Sequence, residues 1–333
     1  MTAFLALGLC LLVEPIPKGE REGTIVIVKN HPEPVEVIVM RSSGKIVKRF
    51  EPKGIEGIIV QIRLSPDISR AIVHSADRDH PGMKPPEKVN GFYIIQTSAY
   101  LVNLEKPDEP AKLLLDHVNN LSYASWAPDS RSFYFCETDI ERAKKRTNKD
   151  PLPYQTWKCS IPDGKKESFK IASQDYICDL SANGSTFLSM SVTSNVFSGS
   201  GKVQSRIIPL KSLESKTILD GPLYPRRISP DGKRILAMSY DENRLFSCHV
   251  VDINSKAELA ITKPNQNIHS CNSSAWLMKG EKIATLWDER LESPTEDGIN
   301  YRPLLAISGP DGKNAKVIYR GEPQRRVTLF DCR

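Results

Sequence analysis

The residues of this 333-residue chain whose types could do chemistry lie in a few short stretches. Asp77-Arg78-Asp79-His80 gathers two carboxylates and an imidazole, donors that suit a divalent cation. Arg78 sets a positive charge among them and no glycine shapes a ligand loop, so ordinary solvation is the simpler reading and no metal is expected. Glu141-Arg142-Ala143-Lys144-Lys145-Arg146 either meets an anionic surface or keeps an insertion soluble, and solvation is favoured. Gly199-Ser200-Gly201-Lys202 fails as a phosphate loop, because Val196 stands where the earlier glycine belongs and Val203 where Ser or Thr would bind magnesium. It also lacks the G-x-S-x-G spacing of a hydrolase elbow. The six histidines (His31, His74, His80, His117, His249 and His269) are scattered, and no pair has helical metal spacing. None of the seven cysteines forms a CxxC pair; Cys136 and Cys159 either pair across neighbouring strands or stay buried as free thiols. No catalytic residue and no cofactor is expected.

The elements that must position these residues are set by size and repetition. A chain of 333 residues exceeds the roughly 250–300 at which one core stops growing, so it holds two domains or a repeating fold with distributed cores. With 46 basic and 40 acidic residues the excess of +6 is too small and scattered to indicate nucleic acid. The apolar run Ala3 to Val13 suits the hydrophobic region of a signal peptide and is too short to span a bilayer. Residues 1–22 therefore read as a leader and 23–333 as one domain, exported to the periplasm or outside the cell, with no transmembrane helix. Leu9, where a lipid-anchored Cys10 would need a small residue, argues against lipidation.

One phrase recurs: Leu64-Ser65-Pro66-Asp67, Trp126-Ala127-Pro128-Asp129, Leu180-Ser181-Ala182-Asn183-Gly184, Ile228-Ser229-Pro230-Asp231-Gly232 and, degenerately, Trp276-Leu277-Met278-Lys279-Gly280. A short apolar strand follows each copy. Proline presets φ at the first corner, Asp or Asn bonds back to nearby amides, and Gly takes the left-handed position, so the phrase is a hairpin turn. The repeat positions 67, 129, 183, 231 and 279 drift in spacing, as loops of varied length on one unit would make them. A second hairpin class turns at Ser43-Gly44, Asp163-Gly164, Asn254-Ser255 and Asp311-Gly312, giving four strands per unit. No stretch shows convincing helical periodicity with caps.

This pattern predicts an all-β, six-bladed β-propeller of four-stranded antiparallel blades. The strand Thr24 to Val28 and the hairpin up to Phe50 lack an innermost strand, which Arg325 to Phe330 supplies, closing the ring. The Ser-Pro-Asp-Gly repeats with their following strands, best at 228–238 and 126–135, resemble the WD-like propeller repeats of the TolB family. Similar repeats occur in propellers that regulate prolyl peptidases and in some polysaccharide lyases, so the resemblance implies the fold and leaves function open.

In such a ring the second-to-third strand connections share one face, opposite the Pro-Asp turns. Here they are the long segments: His74 to Val89, Glu137 to Tyr154, Ser191 to Val203 and Trp287 to Arg302. Variable loops on a rigid scaffold carry recognition. The expected contacts are Arg78, His80, Lys145, Arg146, Tyr240, Trp287 and Arg290, near the channel mouth. The expected function is a non-catalytic envelope scaffold, monomeric, binding a protein or cell-wall-associated partner and no nucleic acid. The alternative is a propeller lyase or hydrolase with a site at the channel mouth.

Overall fold

The computed structural model describes residues 23–29, 35–76, 87–89, 92–147, 150–161, 163–193, 202–241, 245–293, 295, 300–323 and 329–332. Six four-stranded antiparallel sheets form a six-bladed propeller. Blade 1 holds β1 (Thr24–Lys29), β2 (Glu36–Arg41) and β3 (Ile46–Phe50); blade 2 holds β4 (Ile58–Leu64), β5 (Arg70–Ala76), β8 (Gln96–Asn103) and β9 (Lys112–Asn119). Between β5 and β8 lies a separate hairpin, β6 (Glu87–Val89) and β7 (Phe92–Ile94). Blade 3 comprises β10 (Ser125–Trp126), β11 (Ser132–Thr138), β12 (Tyr154–Ser160) and β13 (Lys166–Phe169); blade 4 comprises β14 (Tyr176–Leu180), β15 (Thr186–Thr193), β16 (Lys202–Pro209) and β17 (Lys216–Gly221). Blade 5 is β18 (Tyr224–Ile228), β19 (Arg234–Tyr240), β20 (Phe246–Asp252) and β21 (Glu258–Ala260); blade 6 is β22 (Ile268–Leu277), β23 (Lys282–Arg290), β24 (Tyr301–Ser308) and β25 (Lys316–Arg320).

The last strand, β26 (Leu329–Cys332), pairs with β1 as the innermost strand of blade 1, from Ile25 opposite Cys332 to Val28 opposite Leu329. Closure is as the strand count predicts, but the strand runs to Cys332 instead of stopping at Phe330. Asp331 explains the extension: its buried carboxylate accepts a hydrogen bond of 2.7 Å from the Leu64 amide on blade 2, fastening the chain end to the ring.

Alternation within strands divides the core. In β1, Ile25 and Ile27 pack toward blade 6, while Val26 and Val28 pack toward blade 2. The same division at every interface yields six inter-blade cores, which is how a chain this long avoids needing one large interior. Trp126 and Trp276, the large residues ahead of two turns, are buried in these cores.

The turns work as their chemistry predicts. In blade 2 the Asp67 carboxylate accepts from the Ser65 hydroxyl (2.6 Å) and the Ser69 amide (3.1 Å), and in blade 4 Asn183 takes the same roles toward Ser181 and Ser185. The left-handed corner holds Gly184 (φ 70°) and Gly232 (φ 71°), yet also Ile68 (φ 59°) and Ser130 (φ 57°). A β-branched residue is strained there. Ile68 is nevertheless buried at the turn.

Two elements were not foreseen. Helix α1 (Ile140–Lys145) starts at Asp139, whose carboxylate accepts from the Arg142 amide. A helix of 6 residues, fewer than two turns, is too short to produce a periodic signal. Its Ala143 and Ile140 pack on Val89 and Ile94 of the β6–β7 hairpin, so the insertions of blades 2 and 3 brace each other. Cys136 and Cys159 are not bonded to each other: Cys136 lies opposite Thr156 and Cys159 opposite Phe133, and both remain buried free thiols. The disulfide joins Cys248 of β20 to Cys271 of β22, stapling blade 5 to blade 6.

Candidate functional site

The channel is lined by the six innermost strands, and one position recurs on each, directly before the last residue ahead of the turn. Going round the ring it is Asp331, Arg63, Ser125, Asp179, Arg227 and Ala275. The four charged members are buried. Asp331 accepts from the Arg227 guanidinium, which reaches blade 1 past the small Ala275, and Arg63 stands 3.9 Å from the same carboxylate. Arg227 also faces Asp179 at 3.7 Å, and Asp179 accepts from the Ile228 amide at 3.1 Å. Each aspartate thus ties the inner strand of its neighbour, and four blades are joined by one ionic network. Desolvation makes such a network costly to assemble and more costly still to leave incomplete.

Toward the long-loop mouth the lining becomes aromatic and cationic. Register shifts in β4, β14, β18 and β22 insert an extra residue into the inner strand, and in β18 that residue is Arg226. The Arg226 guanidinium donates to the Tyr123 hydroxyl and lies 5.6 Å from that ring's centre; the Arg63 guanidinium lies 4.5 Å from the same ring. The nearby phenols, Tyr123 foremost, raise the Arg226 pKa beyond its ordinary value, against the opposing effect of burial. Tyr224 and Tyr240 stack with ring centres 5.5 Å apart, and their hydroxyls are 3.1 Å apart. Phe246 packs edge-on against Tyr240.

The turn-side mouth differs. It opens into a cavity of about 640 Å³, walled by Pro66, Pro128 and Pro230 of the turns and by Trp126 and Trp276. Neighbouring turns touch: a Cβ on Gly184 would come within 2.7 Å of Pro128, and Asp67's amide donates to the Ser130 hydroxyl.

The expected contacts are placed unequally. Lys145 is exposed on α1, and Arg146 follows it, partly buried, with its guanidinium donating to the Asp150 carbonyl. Tyr240 belongs to the aromatic stack, and Arg290 is exposed at the end of β23 beside Asn267 and Asn300. Trp287 is 1 % exposed and packs in the core between blades 5 and 6, so it is not a surface contact. The apolar strand there continues beyond Leu286, where sequence alone ended it. Arg78 and His80, like the leader 1–22, lie outside the described residues. Among the described residues no three His, Cys, Asp or Glu side chains form a cluster that could hold a metal. No described helix is long and apolar enough to cross a membrane. The network of Arg63, Asp179, Arg227 and Asp331 escaped sequence reading, although a signal existed: a charged residue recurring just before the large apolar residue of the turn phrase.

No protein-family model matches the chain, and no curated protein matches it in sequence. Solved structures do. TolB from Acinetobacter baumannii superposes with a TM-score of 0.59 at 16% identity, over 96% of this chain and 68% of that one. A protein described as a TolB of Agrobacterium tumefaciens gives 0.52 at 12% identity, over 90% and 89%. An oligogalacturonate lyase of Vibrio parahaemolyticus gives 0.49 at 10% identity, over 91% and 75%. The fold is that of the TolB-like six-bladed propellers.

Proposed function

We propose that this chain is a non-catalytic propeller scaffold of the periplasm or cell exterior, monomeric, which recognises a protein or cell-wall-associated partner through its long-loop face. The observation that carries this reading is the asymmetry of the ring. On the long-loop face the connections between β5 and β8 and between β11 and β12 bear a hairpin, β6–β7, and a helix, α1, which pack on each other, and the channel lining toward that face is aromatic and cationic. The opposite face is built from tight turns locked to their neighbours. The Cys248–Cys271 disulfide supports an oxidising compartment, since such bonds persist in secreted and periplasmic proteins. The experiment is affinity capture from a native envelope extract by the unmodified protein and by a Lys144→Ser, Lys145→Ser, Arg146→Ser triple variant. Loss of a reproducible partner in the variant is expected. Equal recovery by both proteins would remove the long-loop face from consideration.

A further inference from the structure

The channel holds more positive charge than its own acids balance. Three guanidiniums, Arg63, Arg226 and Arg227, meet two carboxylates, Asp179 and Asp331. Both acids are engaged with Arg227 and with the Leu64 and Ile228 amides. Arg226 has instead a phenol, and its electrostatic neighbours are Tyr123, Cys178, Tyr176 and Tyr224, with no carboxylate among them. Arg63 is 5 % exposed, and its Nε finds no acceptor among the described residues; the same holds for the Nε of Arg226.

A guanidinium withdrawn from water without a counter-charge is costly, and the cost is relieved when an anion supplies one. The geometry suits that role. Arg63 and Arg226 approach the one ring of Tyr123 from blades 2 and 5, so two guanidiniums converge on a single side chain. Arg226 is only partly buried and remains reachable from the mouth. Planar guanidinium forks match carboxylate and phosphate oxygens in pairs, which a lysine at either place would not do.

We propose that the long-loop mouth of the channel is an anion-binding site, in which Arg226 and Arg63, set about Tyr123, take a carboxylate or phosphate group carried by the ligand. The inference deepens the proposed function and rests on its choice of binding face, but the site is testable without any partner. Titration calorimetry and thermal melting of the full chain with sodium phosphate and with sodium acetate, against sodium chloride at equal ionic strength, read it directly. Saturable binding of phosphate or acetate, with a rise in Tm that chloride does not give, is expected; response to phosphate alone or acetate alone identifies which anion class fits. Arg226→Gln should weaken binding about ten-fold or more, the value of one charge-assisted contact. Arg226→Lys, which keeps a positive charge beside Tyr123, covers the case in which the Gln variant does not fold, and should weaken binding several-fold through loss of the fork. No saturable binding by the unmodified protein, or equal binding by a folded Arg226 variant, would overturn the site. Capture from envelope extract by the same variants is a separate arm: a partner retained equally by both, alongside confirmed anion binding, would separate the anion site from the recognition function.

Discussion

The two faces of this propeller are made of the same strands and differ in what joins them. On the turn face the connections are four or so residues, and in blades 2, 4 and 5 their side chains satisfy their own backbone: Ser229, Asp231 and the Lys233 amide repeat the arrangement of Ser65, Asp67 and Ser69. Neighbouring turns then lock, as Arg70 does by donating to the Ser130 carbonyl at 2.8 Å. On the long-loop face the connections differ from blade to blade, and four inner strands, β4, β14, β18 and β22, carry register shifts, one of which inserts Arg226. The lesson is a division of labour. Regular turn chemistry holds the ring, which frees the opposite edges to vary, while the ionic network between the two mouths ties blades 1, 2, 4 and 5 together.

The largest effect expected comes from removing what both faces depend on. Deleting residues 329–333 strips the inner strand from blade 1 and takes Asp331 out of the network, leaving the inner edge of β1 without a partner and the apolar side of blade 6 exposed. The truncated protein should lose cooperative melting and aggregate on size exclusion. A monomer as stable as the full chain would mean that closure does not hold the ring. Asp331→Ala alone leaves Arg227 and Arg63 short of a carboxylate, and should cost about 3–5 kcal/mol in chemical denaturation. A change below about 1 kcal/mol would show that the network is ornamental to stability.

Next in size is the staple between blades 5 and 6. Reducing Cys248–Cys271, or replacing both with Ser, frees a loop of 23 residues' separation and should cost about 3 kcal/mol. Melting with and without reductant measures it. His74, on β5 next to the channel-lining β4, offers a pH test. Burial, reinforced by the Arg63 charge, lowers its pKa to about 3, so the folded protein keeps it neutral while the unfolded chain protonates near 6.5. Because the unfolded state then binds more protons, stability should fall as pH drops below about 6.5, by about 1.4 kcal/mol per unit. His74→Asn should flatten that slope between pH 6.5 and 5, a range above the titration of ordinary carboxylates; an unchanged slope would assign the acid sensitivity elsewhere.

The smallest effects separate the faces by function. Lys144→Ser, Lys145→Ser, Arg146→Ser on the loop side and Arg131→Ser, Lys233→Ser, Lys313→Ser on the turn side remove equal charge. Surface changes of this kind should each shift stability by about 0.5 kcal/mol or less. Only the first triple should lower partner capture.

Much of the ring was legible because its signals are local. A turn phrase and an apolar strand repeat within a dozen residues, and strand counting at the two ends was enough to foresee closure. What could not be read depends on distance in sequence. Trp287 looked like a loop residue because Asp288, Glu289 and Arg290 follow it, yet β23 continues to Arg290, and Glu289 is buried by accepting from Arg302 and Arg320 on β24 and β25. The disulfide needed the knowledge that β20 faces β22, and the cation surplus needed Arg63 and Arg226, more than 160 positions apart in the chain, to be seen about one ring.

Hydrogen exchange of the propeller, free and with its captured partner, tests the assignment of recognition to the long-loop face most directly. Protection on binding should gather in 139–147, 239–247 and 288–302 and at the inner-strand segment 224–227, with the turns at 65–69, 127–131, 181–185 and 229–233 unchanged. Protection confined to those turns, with the long-loop segments exchanging as in the free protein, would contradict it.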